Sequence, residues 1–172
     1  MTAPLFGISG FKNSGKTTLT ARLISEFCGL GLRVSSVKHA HHEFDLDQPG
    51  TDTDQHRSAG ASEVLISSSR RWALMHEIGE EETEPTLSEL VSKLAPCDLI
   101  LAEGFKNENH PKLLLISSSE QLNLLSNITN VVAIAAEPSL KMDTTGLPRF
   151  DRNDLSSVST FIVQTFSLQA NT

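Results

Sequence analysis

The chain has 172 residues, 38% hydrophobic and 20% charged, the balance of a folded water-soluble domain rather than of a disordered or membrane-spanning chain. A net charge of -7 repels a phosphate backbone, and no basic run or aromatic-interleaved basic stripe offsets it, which argues against nucleic-acid binding. One domain over residues 1–172 is expected, large enough to bury a core without disulfide or metal staples.

Met1 to Pro4 carry no basic region and lead straight into an apolar run, so neither a signal peptide nor a membrane span is read, and a cytoplasmic protein is expected. Strands are predicted at Leu5 to Ile8, Leu32 to Val37, Val64 to Ser67, Leu99 to Ala102, Leu113 to Ile116 and Val131 to Ala136. Most lack polar alternation, the mark of strands buried on both faces. Between them, Leu19, Leu23, Ile24 and Phe27 fall at helical spacing, as do Leu87, Leu90, Val91 and Leu94. A last helix is predicted from an Asp154 cap through Thr165, followed by an unstructured tail at Gln169 to Thr172. Strands alternating with helices give an α/β, three-layer, doubly wound and mostly parallel sheet of P-loop NTPase type, with an added antiparallel hairpin around Val64 to Leu74. Trp72 on that hairpin is either core packing or the anchor of a subunit interface. The Ser-rich patches at Ser67 to Ser69 and Ser117 to Ser119 read as turns, and Glu77 to Glu84 as a solvated acidic loop. Cys28 and Cys97 stand alone, without CxxC spacing, and read as buried free thiols.

The strongest motif is Gly10-Phe11-Lys12-Asn13-Ser14-Gly15-Lys16-Thr17, which matches GxxxxGK[ST] between a predicted strand and a predicted helix. Gly10 and Gly15 free the backbone so that the amides from Asn13 to Thr17 converge on a β-phosphate. Lys16 reaches the β- and γ-phosphates, the Thr17 hydroxyl ligates magnesium, and Thr18 completes the candidate set at the helix start. Nucleotide binding is therefore expected.

A magnesium-nucleotide site also needs a carboxylate at the carboxyl end of a neighbouring strand. Asp98-Leu99-Ile100-Leu101-Ala102-Glu103-Gly104 has an acid at each end, about 16 Å apart in extended chain. Ligands of open parallel sheets sit beyond the carboxyl ends, so Glu103 is the second-motif candidate, as magnesium ligand or water-positioning base, and Asp98 is not. The segment Lys38 to Asp52 leaves the same edge of the sheet. Asp45 and Asp47 lie two apart and point one way in extended chain, and Asp47 is the preferred second carboxylate for metal or catalysis. His39, His41 and His42 could hold a transition metal, but no Cys joins them, and loop histidines are more often solvated or hydrogen-bonded.

GFKNSGKTTL, VKHAHHEFDLDQPGTDT, RRWALM and LILAEGFK together resemble the molybdopterin-guanine dinucleotide biosynthesis adaptor family, over roughly residues 5 to 110, with FDRNDL agreeing more weakly. The resemblance implies a homodimeric, GTP-binding protein with feeble GTPase activity that assists the guanylyltransferase attaching GMP to molybdopterin. It assigns Gly10, Gly15, Lys16 and Thr17 to phosphate and Mg2+, Glu103 to the second acidic motif, and His39 through Gly50 to a characteristic loop. Two departures stand out: Thr51 replaces a usual Lys after Pro-Gly, and Pro111-Lys112-Leu113-Leu114-Leu115 replaces a Pro-Lys-Ile-Glu-Val-like strand. No NKxD stretch offers a carboxylate to guanine, and the GTP assignment rests on the resemblance. Glu137, after the Val131 strand, is a candidate acceptor, although a plain turn is its commoner role.

Two other readings use the same P-loop. A small-molecule or nucleoside kinase would close arginines over the phosphates, yet Arg70 and Arg71 precede a strand and Arg149 and Arg152 sit near the C-terminus. Their placement implies slow hydrolysis, since a missing arginine finger sacrifices about 10³ to 10⁵ in rate. A nucleotide-dependent metallochaperone would need the histidines to bind metal tightly.

Overall fold

A computed structural model describes residues 3–40, 44–142, 144 and 146–169. In chain order the elements are β1 (Leu5–Gly10), α1 (Lys16–Gly29), β2 (Val34–Lys38), α2 (Asp52–Ser58), β3 (Glu63–Ser67), β4 (Trp72–His76), α3 (Leu87–Ser92), β5 (Leu99–Glu103), β6 (Lys112–Ile116), a 3₁₀ helix (Ser119–Asn127), β7 (Val131–Ala136), β8 (Arg149–Asp151) and α4 (Leu155–Phe166). Where one domain over residues 1–172 is expected, the chain groups into two compact units, Met1–His39 with Leu87–Thr172, and Ala40–Thr86.

The larger unit is a six-stranded sheet in the order β2-β5-β1-β6-β7-β8, parallel at every pairing. The strand at its centre is the one that leads into the P-loop. β5 and β6 flank it, pairing Ile8 with Glu103 on one side and with Leu113 on the other. The chain runs from β1 out to the β2 edge, returns to β5, and then crosses to β6 and onward to β8. The winding direction therefore reverses beside β1, where α/β sheets open a ligand crevice.

Alternation along each strand feeds two cores. On one face Phe6, Ile8, Leu99, Leu101, Leu113, Leu115, Ala133 and Ala135 pack against Leu19, Leu23 and Phe27 of α1 and Val158 and Ile162 of α4. The four-residue spacing of Leu19, Leu23 and Phe27 lays them on one stripe of α1, and burying each such side chain contributes about 1.5–3 kcal/mol. On the other face Leu114, Ile116, Ile134 and Ala136 pack with Leu122 and Leu125 of the 3₁₀ helix and with Ile128 just beyond it. α4 starts where Asp154 accepts from the Ser157 amide at 3.1 Å and from its hydroxyl at 2.6 Å, the cap expected from sequence.

Two polar residues lie inside this unit. Lys112 is fully buried on β6, and its ammonium donates to the carbonyls of Glu108, His110 and Thr129, which satisfies all three of its protons. Burial still draws its pKa down to about 8, with Glu108 opposing. His110, 6% exposed, lies against β1, and a Cβ on Gly7 would stand 2.5 Å from its Nε2. Neither ring nitrogen has a hydrogen-bond partner among the described residues, and burial lowers its pKa to about 4.

The smaller unit holds α2 and the antiparallel pair β3 and β4, which run in register from Glu63 opposite His76 to Ser67 opposite Trp72. The hairpin agrees with the sequence, whereas α2 has no apolar periodicity to announce it. Thr51 caps α2, accepting from the Asp54 amide and donating to the Gln48 carbonyl at 2.9 Å. Arg57 faces four carboxylates: Asp45 at 2.8 Å, Asp47 at 3.2 Å, Glu77 at 3.1 Å and Asp54 at 3.5 Å. Those bonds, from Asp45 and Glu77 first, raise the guanidinium pKa, while the Asp47 amide and then Arg57 lower that of Asp45. Trp72 is 67% exposed and Leu65 62% exposed, so the core-packing alternative for Trp72 is overturned within the described residues.

Other differences are local. The 3₁₀ helix Ser119–Asn127 and the short edge strand β8 were not foreseen, and α3 is shorter than its apolar spacing implies. Cys28 and Cys97 are free but not buried: Cys28 is exposed on α1 and Cys97 half-buried. The end of the Gln169 to Thr172 tail lies outside the described residues.

Candidate functional site

The turn from β1 into α1 bends through backbone angles that favour residues without a Cβ: φ is 156° at Gly10, 61° at Asn13 and 90° at Gly15. At Gly10 a Cβ would come 2.8 Å from the Leu115 carbonyl, so the strand next door also requires glycine there. Gly15 is the N-cap of α1 and brings no side-chain cap, and the first turn holds no acid. Its amides thus lack intrahelical partners and carry the helix's positive end, a ready site for an anion. Thr17 and Thr18 are both exposed there.

Lys16 folds back over the loop, donating to the carbonyls of Phe11 at 2.6 Å and Gly10 at 3.2 Å. Burial lowers its pKa; Glu103 acts against that, and the neighbouring charges of Lys106 and Lys38 add to it. Three ammonium groups near one another with a single carboxylate make a locus suited to a polyphosphate.

Glu103 ends β5 beside the loop, 7% exposed. Its Oε1 accepts from the Thr17 hydroxyl at 2.7 Å and lies 3.3 Å from Lys38 Nζ, which stands 3.4 Å from Thr17 Oγ1. A hydroxyl and a carboxylate oxygen converging at the mouth of a phosphate loop are the hard oxygen donors a magnesium ion takes, so this pair fits that ion. The backbone after Glu103 turns left-handed at Gly104 (φ 94°) and Phe105 (φ 50°), and the Gly104 carbonyl accepts from Ser9 at 3.2 Å. His39 packs there, its ring 5.4 Å from that of Phe105, with a Cβ on Gly104 falling 3.2 Å from its own. Asp98, at the opposite end of β5, instead accepts from the Arg33 amide at 2.7 Å.

Among the sequence-derived candidates, Gly10, Asn13, Ser14, Gly15, Lys16, Thr17, Thr18 and Glu103 thus share one edge of one unit. Asp47 lies in the other unit, where it accepts from the Thr53 hydroxyl at 2.8 Å and faces Arg57. His41 and His42 lie outside the described residues. Among the described residues there is no group of three or more His, Cys, Asp or Glu arranged to hold a metal, and no helix long and apolar enough to cross a membrane.

Arg152, near the C-terminus, is not among the residues the sequence points to at this site. The fold brings it onto the phosphate loop: Nη2 donates to the Ser14 carbonyl at 2.8 Å and stands 2.6 Å from where a Gly15 Cβ would be. Its Nε lies 3.6 Å from Glu137 Oε1. Only the parallel addition of β8 to β7 carries residue 152 to this edge, and β8 is too short to read from the sequence.

Residues 5–137 match the family model described as molybdopterin guanine dinucleotide synthesis protein B. The molybdopterin-guanine dinucleotide biosynthesis adapter protein of Escherichia coli K12 is 37% identical over 94% of this chain and 92% of its own length. That of Haemophilus influenzae is 38% identical over 92% and 87%. A crystal structure of Bacillus subtilis MobB superposes with a TM-score of 0.78 at 25% identity, covering 98% of this chain and 99% of that one. With a phosphate loop on a parallel sheet, the matched family model and these relatives, the chain belongs to the molybdopterin guanine dinucleotide synthesis protein B family.

Proposed function

We propose that this chain is a GTP-binding, magnesium-dependent adaptor that assists guanylyl transfer in molybdopterin guanine dinucleotide synthesis, in the cytoplasm and as a homodimer beside the guanylyltransferase. The observation that carries the reading is the contact of Thr17 with Glu103 at 2.7 Å, at the mouth of a loop whose amides and lysines suit phosphate. The relatives from Escherichia coli and Haemophilus influenzae, both molybdopterin-guanine dinucleotide biosynthesis adapter proteins, support the adaptor role.

In this reading the amides from Asn13 to Thr17 meet the phosphates across a turn that Gly10 and Gly15 permit, and Lys16 leaves the Phe11 carbonyl to join them. Thr17 and Glu103 would hold magnesium, which supplies a Lewis acid for the terminal phosphate. Hydrolysis is slow because Arg152 is already engaged by Ser14 and Glu137. The test is GTP binding and turnover with and without magnesium for the wild type and Glu103→Gln. Fast turnover without a partner, or binding indifferent to magnesium, would overturn it.

A further inference from the structure

Nothing in the Gly10 to Thr17 loop reads a base, because backbone amides and lysines meet phosphates alike in any nucleotide. The reader must lie beside the loop, and the topology limits where. The groups suited to a terminal phosphate and its metal, Glu103 and Lys38, end β5 and β2 on one side of β1. A triphosphate whose terminal end faces them directs its nucleoside toward the other side, where β6, β7 and β8 end. At a strand spacing of about 4.8 Å, β7 lies about 10 Å and β8 about 14 Å from β1. Their carboxyl ends carry Glu137 and Arg152.

The two are joined to each other and to the phosphate loop. Arg152 spans from β8 to the Ser14 carbonyl with one nitrogen and faces Glu137 with another. Arg149 donates to the Glu137 carbonyl at 2.7 Å, fixing the backbone that carries the acid. The Glu137 side chain is 49% exposed, so its carboxylate is held at the loop and yet open to a ligand. A carboxylate accepts and never donates, so the base edge it matches presents two adjacent donors. Guanine does so at N1 and N2; adenine, with an acceptor at N1, does not.

The geometry points to Glu137 as the residue that selects guanine, with Arg152 as the positioning residue that couples it to the phosphate loop. This rests on the nucleotide-binding reading above and names the specificity element of the same site. An amide in place of the carboxylate has one acceptor and one donor, which suits xanthine, whose O2 replaces the guanine amine.

The experiment is titration calorimetry of the full-length protein with GTP, ITP, XTP and ATP in magnesium, for the wild type, Glu137→Gln and Arg152→Lys, with Lys16→Ala alongside. Wild type should bind GTP about tenfold or more tighter than ITP, which lacks the N2 amine, and tighter still than ATP. Glu137→Gln should weaken GTP about 100-fold and make XTP the preferred ligand, an inversion that a misfolded protein cannot produce. Arg152→Lys should narrow the GTP-to-ITP ratio while leaving XTP weak. GTP binding unchanged in Glu137→Gln with no gain for XTP, or wild type binding all four nucleotides equally through Lys16, would overturn the assignment and leave the phosphate site standing. Wild type binding none of them would overturn both.

Discussion

Lys16 sits on the phosphate loop as a flexible cation whose present partners are two carbonyls of its own loop. A phosphate is a better partner for an ammonium than a neutral carbonyl, since charge-assisted bonds contribute about 1.5–3 kcal/mol against about 1 kcal/mol for neutral ones. Lys16→Ala should therefore weaken nucleotide binding roughly 10- to 100-fold with the fold unchanged, which calorimetry and a thermal melt read together. Glu103→Gln keeps the size of the side chain and removes the charge beside Thr17, so the magnesium dependence of binding should flatten while residual affinity remains. His110 gives a prediction with a defined sign. The folded protein resists protonating it until about pH 4, whereas an unfolded chain takes the proton near 6.5, so stability is lost as pH falls through that window. His110→Asn should show a shallower loss of melting temperature between those pH values; an unchanged slope would show that His110 is not held neutral.

Among the elements, the helices follow from short-range rules. Asp154 caps α4 through the Ser157 amide and hydroxyl, which also lower its own pKa. Asp154→Ala should cost about 1 kcal/mol, or about 2–4 °C in melting temperature, and Asp154→Asn should restore most of it because the amide oxygen also accepts. The same rules made much of the fold legible. Short apolar runs, broken in β2 by Ser35 and Ser36, marked the five longer strands of the parallel sheet, and the eight-residue loop motif placed the phosphate site between β1 and α1. Glu103 was chosen over Asp98 by strand polarity, and the two now contact Thr17 and Arg33 respectively. What stayed hidden had weak local signals or depended on distant pairing. β8 is three residues long and exists because β7 offers an edge; Arg152 reaches Ser14 only through that pairing. α2 is polar along most of its length, so apolar periodicity could not reveal it, although Thr51 with Asp52 and Asp54 is a recognisable cap. Thr51, where the resemblance implies a Lys, serves that cap by accepting from the Asp54 amide. Cys28 fell on the open side of α1, one position past the stripe that buries Phe27.

For the whole molecule, the two-stranded pair β3 and β4 raises the question of what covers it. Leu65 and Leu74 lie opposite each other, Trp72 stands two residues from Leu74 on the same face, and all three are exposed, while an isolated two-stranded hairpin is marginal in water. The proposed homodimer is the reading in which this surface is buried, with Trp72 as an anchor. Light scattering should give the mass of a dimer for the wild type and of a monomer for Leu65→Ser with Trp72→Ser, with nucleotide binding retained because Lys16 and Glu103 lie in the other unit. A monomeric wild type would refute the dimer and leave the nucleotide site unaffected. That site is the central claim, and calorimetric titration of the magnesium-loaded protein with GTP, beside Lys16→Ala, tests it most directly. Saturable binding is expected, preferring GTP over ATP and weakened roughly 10- to 100-fold in the variant; equal binding by both proteins, or none by either, would contradict a nucleotide site at Lys16.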